Sequence, residues 1–420
     1  MVRVGHVSMR LLCLHYGADL VYSNEIIDES LLLCERSYND ALKTHDFFCK
    51  LSGACLLRVH DDEKNKLIIQ LGTKNPQKAL KCAKMVEDIV CGIDINMGCP
   101  KLFSTKGGRG SALLKHPDQI KDLLCTLVSN LSIAVACKIR VLYDLESTLD
   151  LVREILKTGI HALAVHGRTD KETYSTPNRG ETIIRIKEIS NIPIIANGFS
   201  SEDWIPDKIC DFRRITMTDS LMVGRKALAN PSIFSQHYEK DIDVVIRKFL
   251  GYAEKYYENF NHIIFCVTKF IKYGGSSYRK QEDLLKCKSI DELLQLWDMD
   301  SNDSSDSYRK LHGIPNINEI GNEYEFVEEK DMITLPVRLL NLSKIKSEQN
   351  VSPKGQINTK VYKNSKKYPI YEHISNGKYF KTKLTLDDKT YCSSLWNKSK
   401  KYSDNASAIV YLKYIELNNY

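Results

Sequence analysis

Eleven residues of types that do chemistry close a succession of short apolar runs: Gln70, Asn96, Cys99, Lys138, Arg140, His166, Arg168, Asn197, Gly198, Gly224 and Arg225. Cys99 stands in "DINMGCPK", where Pro100 stops the run and leaves the thiol at its end. A neutral thiol there can give a proton to a substrate atom. Lys138 and Arg140 lie inside the apolar stretch "VACKIRV", and cations of this kind are almost never buried without a partner. "ANG" (196–198) and "VGR" (223–225) place a glycine where backbone must approach a ligand closely, and Arg225 adds a charge. Taken singly, each residue has a plainer reading: a packed cysteine, or a histidine that bonds backbone. Plain packing does not explain why all of them end successive runs.

The runs must therefore be the elements that position the chemistry. They are "ADLVYSNEI" (18–26), "KLIIQLG" (66–72), "GIDINMG" (92–98), "VACKIRV" (135–141), "ALAVHGR" (162–168), "PIIANG" (193–198) and "SLMVGR" (220–225). Continuous apolar strands are buried on both faces, and amphipathic helices between them make the strands parallel. Polar residues at the strand ends fit a (β/α)8 TIM barrel, an α/β fold whose active site lies at the C-terminal ends of its strands. A doubly wound open sheet is the runner-up, but no GxGxxG follows any strand. Only seven runs are present, so the first barrel strand is absent from this chain. The expectation is a start at an internal methionine, with about 15 to 20 further residues forming that strand. In such barrels the last two strand ends commonly hold a phosphate. With an amide from Gln70 and a cation from Lys138, the set suits an isoalloxazine ring with a phosphate tail, which points to FMN.

At 420 residues and 48.1 kDa the chain exceeds one ordinary domain. The expected division is a catalytic barrel over 1–238, a helical domain over 239–298, an acidic linker over 299–331, and a C-terminal domain with an N-terminal extension over 332–420. No apolar run reaches the ~18 residues of a membrane span, and the N-terminus lacks the pattern of a signal peptide. Thirteen cysteines without a CxxC pair argue for reduced thiols, a cytoplasmic protein and no metal site. From Val351 to Tyr420 the chain carries thirteen lysines and five acids, a net +8 against +7 for the whole chain. A basic tail on a neutral body suggests a polyanionic partner.

"DINMGCPK", "STKGGRGSALL", "CKIR", "AVHGRT" and "IIANG" together resemble the tRNA-dihydrouridine synthases, flavin enzymes built from a barrel and a helical domain. The tail, with "SSLWNKSKKYSDNASAIVYL" and an α-β-β-β-α order, is similar to a double-stranded RNA-binding domain, and the pairing is similar to the eukaryotic class acting on the position-20 uridine of tRNA. The resemblance implies that Cys99 is the general acid. It implies FMN contacts from Met1, Gln70, Lys138, His166, Asn197, Gly198, Gly224 and Arg225, with NADPH or NADH as reductant. Asn96, Arg140 and Arg168 would face the substrate. Lys354, Lys398, Lys400 and Lys401 would face RNA phosphates, helped by Arg338, Lys344 and Lys346. The implied partner is tRNA, with no membrane, and the expected state a monomer. Asp404 departs from the pattern, since a lysine is usual there. Two other readings stand beside this one: a catalytically impaired tRNA-binding protein on the same scaffold, and a free-pyrimidine flavoenzyme of the dihydroorotate type, which would not need the basic tail.

Overall fold

A computed structural model describes residues 3–51, 53–199, 206–300, 326–329, 332–337, 351–364, 368–377, 379–386 and 388–418. Two compact units divide the chain. Met1–Leu32, Arg36–Phe47 and Leu56–Asn302 form one, and Leu33–Glu35, Phe48–Cys55 and Asp303–Tyr420 the other.

After a helix over Val7–His15, the chain makes two short strand pieces, β1 (Val21–Tyr22) and β2 (Ile26–Ile27). Strands β3 (Cys34–Asn39), β4 (Thr44–Cys49) and β5 (Cys55–His60) then form a separate three-stranded sheet that the apolar-run reading does not include. Next come β6 (Leu67–Gly72), β7 (Gly92–Met97), β8 (Ala134–Arg140), β9 (Ala162–His166), β10 (Ile194–Asn197) and β11 (Ser220–Met222). These pair in the order β1-β6-β7-β8-β9-β10-β11, every pair parallel. Ile26 of β2 pairs with Leu71 of β6, so β1 and β2 are one strand interrupted at residues 23–25. Every residue of β6 and β7 is buried, as expected of strands covered on both faces. This is the barrel arrangement with seven strand positions filled. Among the described residues, β1 and β11 each pair on one side only.

The intervening helices begin where the sequence supplies caps. Asn75 Oδ1 accepts from the Lys78 N–H at 2.9 Å ahead of Pro76–Lys84. Asp144 Oδ1 accepts from the Ser147 N–H at 2.8 Å ahead of Leu145–Leu156. Buried ion pairs brace the same unit: Arg10 Nε meets Glu63 Oε1 at 2.6 Å and Arg58 Nε meets Asp46 Oδ1 at 2.7 Å, all four side chains less than a tenth exposed. Beyond β11, helices Ile242–Lys255, Phe260–Tyr273, Gln281–Lys286 and Ile290–Leu296 pack around fully buried Trp297, whose indole N–H donates to Asp243 Oδ1 at 2.8 Å.

In the second unit, helices Pro353–Asn364 and Lys400–Asn418 flank β14 (Ile370–Asn376), β15 (Tyr379–Leu386) and β16 (Lys389–Ser393). This is the α-β-β-β-α order expected from the sequence. Two strands are added to it: β12 (Val327–Glu329) pairs antiparallel with β13 (Met332–Leu335), which runs parallel to β16. The linker expected over 299–331 is thus corrected at its end, where Val327–Glu329 are strand. Leu335, Ile357, Leu384, Leu386, Ala406 and Val410 lie in this unit's core. No helix among the described residues is long and apolar enough to cross a membrane.

Candidate active site

The sheet delivers the expected residues to one end. A hydrogen-bonded chain crosses from β6 to the cysteine turn. Gln70 Nε2 donates to Asp94 Oδ2 at 2.8 Å, and Gln70 Oε1 accepts from Asn96 Nδ2 at 3.0 Å. Asn96 Oδ1 in turn accepts from the N–H groups of Gly98 and Cys99, at 3.1 and 3.0 Å. Arg140 closes the turn from the next strand: its Nε donates to the Gly98 carbonyl at 2.9 Å and its Nη1 to the Thr169 carbonyl at 2.6 Å. The GCP turn is therefore held from two strands, with the Cys99 thiol half-buried at its tip. Burial first, and the Glu25 carboxylate with it, pushes that thiol above its ordinary value, against donors from Lys101 N–H and Ser104. At neutral pH it keeps its proton.

Next to this turn is Lys138, whose ammonium has no hydrogen bond or salt bridge among the described residues. Burial lowers it to about 8, with Arg140 acting in the same direction and Asp94 against it. Asp94 is fully buried and raised to about 7 by that burial, against the Gln70 hydrogen bond and Lys138; its Oδ1 has no partner. A buried cation and a buried carboxylate oxygen, neither hydrogen-bonded among the described residues, are groups that a polar ring can satisfy.

The ends of β9, β10 and β11 form the other half. Gly198 has φ +95°, and a Cβ there would sit 2.0 Å from His166 Cδ2, so only glycine lets the turn pass the imidazole. His166 is lowered to about 2 by burial and then by Lys138, Arg140, Arg168 and Arg225, and it is a neutral ring. Asn197 Nδ2 donates to the Met222 carbonyl at 2.8 Å, tying β10 to β11. Gly224 precedes the helix Arg225–Ala229, and exposed Arg225 stands 4.9 Å from the centre of the Tyr174 ring. Buried Asn178 Oδ1 is a second orphan here.

Two of the expected residues are engaged within the chain. Arg168 is 1% exposed, and its guanidinium donates to the carbonyls of Thr176, Gly198 and Tyr174. It braces the loop. Asn96 is likewise buried and spent on the cysteine turn. Glu25, Asp94, Ser104 and Asn178 were not expected at the site. Glu25 had a visible signal, an acid next to the end of "ADLVYSNEI", and Asp94 another, an acid inside the apolar run "GIDINMG". Met1, Arg338, Lys344 and Lys346 lie outside the described residues.

In the C-terminal unit Lys398, Lys400 and Lys401 are exposed at the start of the last helix. Lys354 differs: its Nζ lies 2.6 Å from Asp404 Oδ2, while Asp404 Oδ1 meets His373 Nε2 at 2.7 Å and Thr382 Oγ1 at 2.9 Å.

His6, Glu258 and His262 bring three metal-ligating atoms within 4.8 Å of one another. The two imidazoles are stacked, centroids 4.1 Å apart and planes 17° from parallel. A ring nitrogen's lone pair lies in its own plane, so two stacked rings do not aim at one ion. Asn24 Oδ1 accepts from Val4 and Gly5 N–H, so its amide nitrogen faces His6 Nε2 at 3.2 Å and leaves the proton on Nδ1, toward Glu258. The cluster joins the start of the first helix to Phe260–Tyr273.

Comparison with known proteins agrees with this geometry. The profile of the dihydrouridine synthase (Dus) family matches residues 1–285. The NAD(P)+-linked tRNA-dihydrouridine(20) synthase of Schizosaccharomyces pombe is 36% identical over 292 residues, 67% of this chain and 59% of that protein. Its counterpart in Saccharomyces cerevisiae is 33% identical over 312 residues, 70% of this chain and 80% of that one. This chain thus spans less than two thirds of the fission-yeast relative's length. A crystal structure of a tRNA-dihydrouridine(20) synthase dsRBD aligns at 27% identity over 20% of this chain and 87% of that one, with a TM-score of 0.18. With the family profile covering the whole parallel sheet and the helices Ile242–Lys255 and Phe260–Tyr273 after it, the chain belongs to the dihydrouridine synthase family.

Proposed function

We propose that this protein reduces the C5–C6 double bond of uridine in cytoplasmic tRNA, at position 20 of the D-loop, with FMN as cofactor, NADPH or NADH as reductant and Cys99 as general acid. The observation that carries the reading is the GCP turn: a protonated thiol on a turn held by Asn96 and Arg140, beside a buried ammonium that has no hydrogen bond or salt bridge among the described residues. The two relatives named above, both tRNA-dihydrouridine(20) synthases by name, support the substrate.

The residues present fit the flavin. Lys138 would face the ring's carbonyl edge, where its charge favours the reduced anion. His166 would pack as a neutral ring beside it. Asn197, Gly198, Gly224 and Arg225 would take the phosphate tail, with the backbone opened by Gly198. Gln70, both ends of its amide already engaged, would contact the ring through its remaining N–H. Bound and reduced, FMN supplies a hydride to uracil C6. The chain's own part is to hold the extruded base and to place the Cys99 proton at C5. The barrel, over 1–238, carries this chemistry, 239–298 buttresses it, and the domain over 332–420 binds the tRNA, as a monomer, through Lys398, Lys400 and Lys401.

The test is dihydrouridine formation, read by mass spectrometry, on a tRNA transcript with the purified full chain and FMN. Reduction at position 20 that is lost in Cys99→Ala, with flavin still bound, is the expected result. A chain that binds tRNA but neither holds flavin nor reduces any uridine overturns the proposal in favour of the catalytically impaired tRNA-binding protein.

A further inference from the structure

The one-turn helix Leu102–Thr105 begins three residues after Cys99. Its small polar residue is turned in and its large apolar ones are turned out. Ser104 is fully buried, while Leu102 is 80% and Phe103 49% exposed. The backbone beneath them is nonetheless held. Ser104 Oγ donates to Glu25 Oε1 at 2.7 Å, and the N–H groups of Ser104 and Thr105 donate to the Lys101 carbonyl at 2.9 and 3.0 Å. The Ser111 N–H donates to the Cys99 carbonyl at 3.0 Å, closing the loop back on its start. Gly110 permits that closure: a Cβ there would lie 2.5 Å from the Cys99 carbonyl oxygen and 2.6 Å from Ser104 Oγ. Leu102 and Phe103 thus stand in solvent on a backbone that is fastened at both ends.

Lysines surround the pair. Lys101 and Lys106 bracket it in sequence and are exposed. The exposed Lys74 side chain lies beside Gly108, where a Cβ would come within 3.2 Å of its Cδ. None of these three has a salt bridge among the described residues. Nearby Lys78 and Arg109, by contrast, both pair with Glu29, at 3.1 and 3.2 Å. Exposed apolar side chains ringed by unpaired lysines suit a partner that offers phosphates and stacked apolar faces together, and nucleic acid offers both. A membrane surface takes a whole apolar helix face, which a single turn does not provide.

A base drawn out of its stack leaves a gap between its neighbours, and holding that gap open costs unstacking energy. Phe and Leu are among the side chains that proteins insert between base steps to meet that cost. We infer that Leu102 and Phe103 are a wedge that enters the tRNA stack where the target uridine has left it, with Lys74, Lys101 and Lys106 on the flanking phosphates. The role rests on the reading that a uridine is extruded to Cys99. Leu102 is at most about 11 Å of chain from that thiol, so the cysteine turn can hold the base while the wedge fills the place it came from. Both are positioning residues, since neither touches the reacting atoms.

The experiment reads unstacking apart from chemistry. A tRNA transcript carries 2-aminopurine in place of the nucleotide on the 3′ side of the target uridine, and it is titrated with the full chain bearing Cys99→Ala. The probe is dim within a stack and brightens when its neighbours leave it. Brightening on binding is expected, and Leu102→Ala with Phe103→Ala should abolish it at saturating protein, with binding checked by anisotropy. In the chain with Cys99 intact, the same double substitution should lower kcat/KM for tRNA about 10- to 100-fold, the scale of one lost stacking contact. Phe103→Trp should keep both the brightening and the rate. Lys101→Ala and Lys106→Ala should each make the salt dependence of binding shallower by about 0.7 to 0.9, with the brightening at saturation unchanged. No brightening with the parent chain, or brightening and kcat/KM both unaltered in the double variant, overturns the wedge and leaves the reductase reading standing. A chain that brightens the probe but reduces no uridine keeps the wedge and loses that reading. Binding to phosphatidylserine vesicles that the double variant loses would make the pair a membrane contact and also overturns the wedge. Should the double variant not fold, Phe103→Ser alone carries the test, and full brightening in it overturns the role of Phe103.

Discussion

Lys138 and Lys354 were both expected to meet an anion, one in the barrel and one in the C-terminal domain, and the structure treats them in opposite ways. Lys138 comes off a buried strand with no recorded ion pair and is pulled down to about 8 by burial. Lys354 is a third exposed and lies 2.6 Å from Asp404, a carboxylate that also serves His373 and Thr382. Water could have stabilised Lys354 unaided. Lys138 has neither water enough nor a counterion enough, a condition that natural proteins rarely keep unless a ligand relieves it. The lysine left unpartnered is the better mark of a binding site.

The largest effect should come from removing the barrel lysine. Lys138→Met is expected to reduce turnover ~10²- to 10³-fold, the scale of one lost electrostatic stabiliser at a developing charge, measured by dihydrouridine formation at saturating FMN. The same residue sets a pH dependence. In the flavin-free protein the unfolded chain holds the Lys138 proton up to about 10.4, while the folded protein releases it near 8. Between those values the unfolded state binds more protons, so stability should rise with pH. Thermal melts of the flavin-free protein should show that rise, and Lys138→Met should abolish it. A flat profile in the parent protein would mean that Lys138 has a counterion after all.

A smaller change sharpens the other side. Burial works to raise Asp404, but hydrogen bonds from Lys354, His373 and Thr382 win and hold it below the ordinary carboxylate range. Its contribution to stability is therefore present above the unfolded carboxylate value and lost as pH falls through the folded one. Asp404→Asn should remove that acid-side loss and release Lys354. Binding of a double-stranded RNA should then tighten, with a salt slope steeper by about 0.7 to 0.9, one added phosphate contact. No change in slope would place Lys354 off the RNA path entirely. Smallest of all, Lys400→Ala should make the slope shallower by about the same amount while shifting affinity only about two- to threefold near physiological salt.

Seven strands were legible because buried parallel strands are continuous apolar runs, and the site residues followed because they end those runs. The sheet β3–β5 was not. "CERSYN" has one buried residue at each end and none between, so it shows neither a run nor a clean alternation. The partners that fix the site were hidden for another reason. Nothing local shows that Asn96 serves the Cys99 turn, that Arg168 is walled in, or that Asp404 reaches back fifty positions to Lys354. The sequence displays Asp404 as an odd residue, and only the fold shows what it holds.

The insertion of β3–β5 between β1 and β6 also bears on how the protein is made. Val21 pairs with Leu67, 46 positions later. At about 5 to 20 residues per second, a chain leaving the ribosome waits roughly 2 to 9 s between those two strands. During that wait β3–β5, contiguous from Cys34 to His60, has all its own partners and can close, while β1 has none. The edge strand is broken at residues 23–25 into β1 and β2, two residues each, and so interrupted an edge offers a stray strand little to pair with. That break protects the nascent chain while the rest of the sheet is still being synthesised.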